Sequence, residues 1–445
     1  MAETNDHQDF DLDHAFKDYA REPVPEHALR PSWRLFAIWL AAAISLPYMM
    51  TGVVFGKSLS LPHALLAIII GLGFVAILIS IAGIIGVRTR LPVSMLTPNT
   101  FGIFGSKILA MCIALSLVGW FGFQVEIFAQ ALQLLIKTHF DIHITQTPLK
   151  LFGGTLMITS AIIGFRAIDA LSQIAIPLMF VCLLFPFCQL LFNGGLENFK
   201  DYQATGDLTF GGAIDMLIAA VSLGLVVTPD MTRYIRSASG TVAAIMGSQL
   251  FGTGGAVLFA FFLVRATGGS ELIPMLAGLG WALPILFFIL LGTWTTNDTN
   301  VYFASTSLAG VMRNLTKWKI AAICGIIGII FSLIGVKANF VPFLSLLGII
   351  FGPAGAVFII DYFRQPARYK DAHAREAPAV RLFPCIAWLA GIMLGWLTTP
   401  SESLGLGLFT LTGTPALDGI IMAGIVYLFL QFAGKTLDSR RPSRL

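Results

Sequence analysis

Residues 291–302 read Leu-Gly-Thr-Trp-Thr-Thr-Asn-Asp-Thr-Asn-Val-Tyr. The run lies inside a hydrophobic segment long enough to cross a bilayer, yet eight of its twelve side chains carry a hydroxyl, amide or carboxylate. An unpaired polar group at membrane depth is costly, and an ionisable one such as Asp298 marks a functional site by default. A lone Thr or Asn is explained by bonding to a neighbouring helix. A run this dense points instead to a binding site.

The rest of the chain supplies the membrane around it. Of 445 residues, 56% are hydrophobic and 12% charged, against about 25% charged in soluble domains. Mean hydropathy is +0.82. This composition describes an all-α polytopic membrane protein with no separate soluble domain. The polar first thirty residues lack the basic region and short apolar core of a signal peptide, so they read as a cytoplasmic tail. The five cysteines lie in apolar runs without a Cys-x-x-Cys pair, which supports neither a disulfide framework nor a zinc site. The basic residues are scattered between spans, which excludes a nucleic-acid surface.

A spanning helix needs about 20 mostly apolar residues. Twelve segments qualify, near 34–56, 62–86, 103–136, 149–165, 168–193, 209–232, 238–264, 279–310, 317–336, 340–363, 380–398 and 415–434. The third and eighth exceed the usual length, so they are expected to tilt or to extend past the membrane. Basic residues favour alternate loops, including Arg88, Arg90, Arg233, Arg236 and Arg381. The positive-inside rule then places both termini in the cytoplasm of a plasma or inner membrane. The expected organisation is a tail (1–33), a first five-helix repeat (34–193) and a second repeat (194–363). A cytoplasmic loop (364–379), two peripheral helices (380–434) and a second tail (435–445) follow.

Two spans carry break signals at matching positions of the two groups. The first has Pro47 and Gly52, and the sixth has Gly224 and Pro229. Matched interruptions point to an inverted-repeat transporter whose site lies at the midplane. Interrupted helices leave carbonyls unpaired, and a monovalent cation satisfies them. The carbonyls of Ala41 and Ile44 and the hydroxyls of Thr295 and Thr296 are candidate ligands. In the third span, Trp120 and Gln124 are four residues apart and share a helix face. An indole offers a flat apolar surface, and an amide adds a donor and an acceptor. Together they suit a flat heterocycle. Glu126 falls on roughly the opposite face, where it can pair with a basic group, lie protonated or take part in proton coupling. Asp230 and Arg233 are spaced for a local ion pair, and Asp361 is expected at the interface. No catalytic triad, metal motif or phosphate loop is present, so the chain is not expected to be an enzyme or to need a cofactor.

The chain resembles the nucleobase:cation symporter-1 family, within it the cytosine permease branch. The resemblance rests on four motifs: Gly-Trp-Phe-Gly at 119–122, Thr-Pro-Asp-Met-Thr-Arg-Tyr at 228–234, Trp-Thr-Thr-Asn-Asp at 294–298, and Gly-Pro-Ala-Gly-Ala-Val-Phe-Ile-Ile-Asp-Tyr at 352–362. It implies a leucine-transporter-like fold: twelve transmembrane helices as a 5+5 inverted repeat plus two peripheral helices. It implies import of a nucleobase such as cytosine or a purine, coupled to Na+ in most members and H+ in some, across the lipid bilayer; a monomer is expected, with the oligomeric state left open by the sequence. By the resemblance, Ala41, Ile44, Gly292, Thr295 and Thr296 hold the ion and Trp120 stacks on the base. Gln124 matches an amide of the hydantoin-transporter branch. Asn297 and Asp298 bind substrate or hold the site in shape. The family's second stacking aromatic falls on Val221, so the second wall is aliphatic or comes from elsewhere, such as Phe210. That departure leaves room for a hydroxymethylpyrimidine, hydantoin or allantoin. A channel, a receptor and a membrane-embedded enzyme are the rival readings.

Overall fold

The computed structural model describes residues 22–163, 206–278, 282–312, 314–370 and 377–439, with the isolated residues 19, 181 and 188. The expected fifth span, 168–193, and the loop after it therefore lie outside the described residues. Each of the other eleven expected spans has a helix in its place. Seven of the described helical segments are long and apolar enough to cross a membrane by length and composition.

The first span is two helices, α1 (Ser32–Ala43) and α2 (Leu46–Ser58). The backbone leaves helical geometry at Ile44 (φ −84°, ψ 59°) and is extended at Ser45 (φ −116°, ψ 154°). Pro47 does not cause this break. It sits in the first turn of α2, where a missing N–H costs nothing and the fixed φ suits a helix start. Gly52 is not a hinge either. It lies within α2 against a later helix, α9 (Gly254–Thr267), and a Cβ there would meet the Val257 carbonyl and stand 2.9 Å from the Ala260 Cβ.

Next come α3 (Leu61–Thr89), α4 (Val93–Phe140) and α5 (Gln146–Ile163). The 48 residues of α4 are two helices joined at a kink, Gly102, with φ 78° and ψ 171°. That left-handed φ favours glycine. Ile103 and Phe104 donate backbone N–H groups to the Pro378 and Ala379 carbonyls at 3.0 and 2.9 Å. A Cβ at Gly102 would lie 2.7 Å from the Val380 Cα. The kink therefore lies at the start of the expected third span, where it receives the backbone of residues 378–380, and the helix beyond it runs on to Phe140.

The sixth span comprises α6 (Phe210–Val221) and α7 (Gly224–Thr232). Its interruption is milder than the first. Ser222 keeps helical angles, and Leu225 N–H bonds the Ser222 carbonyl at 2.9 Å. The helix tightens to a three-residue turn and does not unwind. The seventh span is α8 (Ala238–Gly247) and α9, joined by a π turn at Ser248–Thr253. Then follow α10 (Leu272–Ala277), α11 (Ala282–Ala309), α12 (Lys317–Ile334), α13 (Phe340–Arg364) and α14 (Ala367–Lys370). The last two are α15 (Leu382–Thr398) and α16 (Pro415–Ser439). In the packing, α11 lies along α4, α2 along α9, and α3 along α6 and α7, while α15 and α16 pair with each other and cover α13.

Asp361, expected at the interface, is fully buried. Arg381 donates to it at 2.7 Å, the Tyr369 hydroxyl donates at 2.5 Å, and the Tyr427 hydroxyl also donates to it. Arg368 forms a longer ion pair at 3.4 Å. Arg381 also donates to the Asn99 and Thr100 carbonyls. One carboxylate thereby ties α13, α14 and α16 to the start of α15 and to the kinked end of α4. Burial and the adjacent Asp361 charge push the Tyr369 phenol well above its usual range, so it stays a donor. Replacing Asp361 by Asn leaves Arg381 charged beside a neutral partner. The expected loss is about 3–5 kcal/mol of stability, read from chemical or thermal unfolding of the purified protein. A loss below about 1 kcal/mol, the level of an exposed pair, would contradict this reading of the network.

Candidate substrate and ion site

The break in the first span faces α4 and α11. Ile44, Ser45 and Leu46 line a small cavity with Gln124 of α4 and with Phe288, Gly292 and Thr296 of α11. Its volume is about 10 Å³, which is room for about one water or one bare monovalent ion. Of the ten residues expected in the site, four (Ile44, Gln124, Gly292 and Thr296) meet at this cavity. On α11 the spacing 288, 292, 296 is one helical stripe.

The wall is mixed: Ser45, Gln124 and Thr296 carry side-chain oxygens, Leu46 and Phe288 are apolar, and no carboxylate is present. Because α1 ends at Ala43, the carbonyls of its last turn, which includes Ala41, lose their usual partners. The negative end of the helix dipole adds to their attraction for a cation. The Thr296 hydroxyl donates to the Gly292 carbonyl at 2.7 Å, which aims its lone pairs away from that bond. Thr295 is half-buried and bonds back to the Leu291 and Gly292 carbonyls at 3.0 and 3.2 Å. It is not among the residues lining the cavity.

Trp120 lies one turn before Gln124 and is half-buried. Its ring meets Phe343 edge-on at 5.0 Å, Phe123 at 5.9 Å and Phe340 at 6.5 Å. Phe123 and Phe340 stack at 5.0 Å. Among the described residues, the aromatic neighbours of Trp120 come from its own helix and from α13. Val221 is buried at the end of α6. Phe210 packs edge-on against His63 at 5.8 Å. Phe340 and Phe343 escaped the sequence reading. Their three-residue spacing at the head of an apolar span was the available signal, but nothing local linked it to a residue 220 positions earlier. Gly119 admits Phe343, since a Cβ there would lie 2.6 Å from its ring.

Asn297 and Asp298 turn to another face. The Asn297 amide donates to the Phe121 carbonyl at 3.1 Å and lies 3.2 Å from the Met157 sulfur. It also accepts from Asn300 at 3.1 Å. Asp298 accepts from the Ser160 hydroxyl at 2.6 Å, and Ser160 accepts from the Trp294 indole N–H at 2.8 Å. These contacts brace α11 against α4 and α5. Position 298 stands opposite 296 on the helix, and the Asp298 Oδ2 is buried without a hydrogen-bond partner among the described residues. Glu126 takes the first of its three expected options. It pairs with Lys150 at 3.5 Å and accepts the Lys337 backbone N–H at 3.0 Å. The Asp230 carboxylate caps α4 by accepting the Val93 N–H at 2.7 Å.

The chain matches the family described as permease for cytosine/purines, uracil, thiamine, allantoin over residues 23–377. It is 29% identical to the cytosine permease of Escherichia coli strain K12 over 385 residues, covering 85% of this chain and 89% of the relative. It is 24% identical to the hydantoin permease of Microbacterium maritypicum over 370 residues, covering 76% of this chain and 74% of the relative. The structure superposes with TM-score 0.72 and 18% identity on Mhp1, a nucleobase-cation-symport-1 family transporter, in a closed conformation with bromovinylhydantoin bound. That match covers 94% of this chain and 96% of Mhp1. The helical architecture and this likeness give the leucine-transporter-like fold of a multi-pass membrane transporter. The chain thus belongs to the permease family for cytosine, purines and related heterocycles.

Proposed function

We propose that this chain is a secondary active transporter that imports a planar nitrogen heterocycle together with sodium. The observation that carries the reading is the cavity at the helix break, about the size of one ion, whose lining residues include Ile44, Ser45, Gln124, Gly292 and Thr296 and no carboxylate. Neutral ligands suit an ion that must also leave, since they add no fixed charge to hold it. Each ion that enters contributes about 2.3 kcal/mol per 100 mV of membrane potential. One ion per cycle concentrates a neutral base considerably. The two five-helix groups would move against each other around this fixed site.

The heterocycle would lie against Trp120, within reach of the Phe340 and Phe343 rings. A nucleobase such as cytosine is the first candidate, in keeping with the curated relative. A hydantoin-like ring is the second. Val221 stands where a stacking aromatic was expected, and Gln124 offers an amide to an imide edge.

The test is thermal unfolding of the purified chain against cytosine, uracil, a purine and hydantoin, each in sodium chloride and in choline chloride. At least one ring should raise the melting temperature, and more so in sodium. At a ligand concentration 100 times Kd the stabilisation is about 2.7 kcal/mol. No shift with any ring in either salt would count against the proposal. Trp120→Ala should weaken binding of the stabilising ring about tenfold, from the lost stacking and apolar contact, and leave the sodium midpoint unchanged. Wild-type affinity in that variant would remove Trp120 from the site.

A further inference from the structure

A second and much larger cavity lies away from the helix break, just past the kink of α4. Its volume is about 530 Å³, and Ile103, Lys107, Val311, Met312, Asn314 and Leu315 line it. Sites for small ligands span about 300–1,000 Å³. One wall is α4 and the other is the segment between α11 and α12. Beyond Gly102, α4 leaves Phe104, Ile108, Met111 and Leu115 exposed. They form one helical stripe, and in a bilayer that stripe meets lipid. Lys107 lies within the stripe and is itself exposed. No ion pair or hydrogen bond to its side chain forms among the described residues. Other basic side chains in or beside the spans are served. Lys150 pairs with Glu126, Arg381 pairs with Asp361, and Arg265 donates to the Leu59 carbonyl. Residues 93–125 and 299–360 contain no Asp or Glu, so neither wall brings a counter-charge from its own segment.

The second wall combines apolar and polar groups in the same way. Met312 and Leu315 are exposed apolar side chains, and Asn314 offers an amide. Lys317, Trp318 and Lys319 follow at the head of α12, with Trp318 exposed. Trp and Lys at the end of a span mark the membrane–water interface. The cavity therefore sits where hydrocarbon gives way to headgroups. We propose that it binds an acidic phospholipid. The phosphate would lie between the Lys107 ammonium and the Asn314 amide, and an acyl chain would follow Phe104, Ile108 and Met111. Charge selects the headgroup. An ammonium on a lipid-facing surface is costly without a partner and bends toward the headgroups. A negative headgroup supplies that partner, whereas a zwitterionic one brings its own cation to the same place. Lys317 and Lys319 add to the positive field, as in other basic pockets between membrane helices that hold acidic headgroups. The lipid site shares no lining residue with the cavity at the helix break.

The experiment titrates the purified full chain, in a neutral detergent, with phosphatidylglycerol or phosphatidylcholine and follows thermal unfolding. A ligand of the folded state raises stability. Phosphatidylglycerol should raise the melting temperature at a lower mole fraction than phosphatidylcholine. In Lys107→Gln the phosphatidylglycerol needed for half the shift should rise about fivefold, as for loss of one basic contact to an acidic headgroup, with the response to phosphatidylcholine unchanged. Lys107→Arg keeps the charge and should restore the wild-type midpoint. Inorganic phosphate at matched concentration should give no shift. Equal midpoints for the two lipids in the wild type, or a wild-type phosphatidylglycerol midpoint in Lys107→Gln, would overturn the proposal. A shift with inorganic phosphate as large as with phosphatidylglycerol would overturn the lipid in favour of a soluble anion. Asn314→Asp changes an exposed turn and sets a negative charge against the headgroup. Should Lys107→Gln fail to fold, an unchanged phosphatidylglycerol midpoint in Asn314→Asp would overturn the proposal equally.

Discussion

A helix that stops inside a membrane leaves carbonyl groups with no water to bond. The rest of this architecture is arranged around that constraint at Ile44 and Ser45. The α1 carbonyls end there, α2 restarts with Pro47 in its first turn, and the gap opens toward Gln124, Gly292 and Thr296. In hydrocarbon such a gap survives only where it is buried in protein or lines a cavity. Here the surrounding helices supply oxygens without supplying a carboxylate to the cavity wall.

The polar run on α11 divides by face. Gly292 and Thr296 look toward the break, while Trp294, Asn297 and Asp298 bond α4 and α5. The bracing face ties the break-facing stripe to α4, which carries Trp120 and Gln124. Farther off, Asp361 gathers four donors from neighbouring segments and fixes the peripheral pair α15 and α16 to α13. The Asp361 charge is thus paired, and no charged side chain lines the cavity.

Much of this was legible in the sequence. Hydropathy marks the spans because each must cover about 30 Å of hydrocarbon with apolar side chains. The first-span interruption was anticipated, but its position was misjudged. Proline reads as a helix breaker in isolation, yet at the start of a helix it is well tolerated, so Pro47 marked the restart and not the fault. Gly52 read as freedom and is close packing. The faces of the eighth span were not legible, because most of them are buried and no polar-to-apolar contrast orients the helix. Phe343 beside Trp120 and Arg381 on Asp361 are pairings made by tertiary packing, which local periodicity does not encode.

The most direct test is accumulation of radiolabelled cytosine and hydantoin in proteoliposomes containing the purified chain, with a sodium gradient and a negative-inside potential imposed. Saturable uptake of at least one of these rings above its equilibrium level is expected, abolished when choline replaces sodium. Collapsing the potential should also lower the plateau. Uptake that only equilibrates the ring, or that is indifferent to sodium, would contradict this expectation.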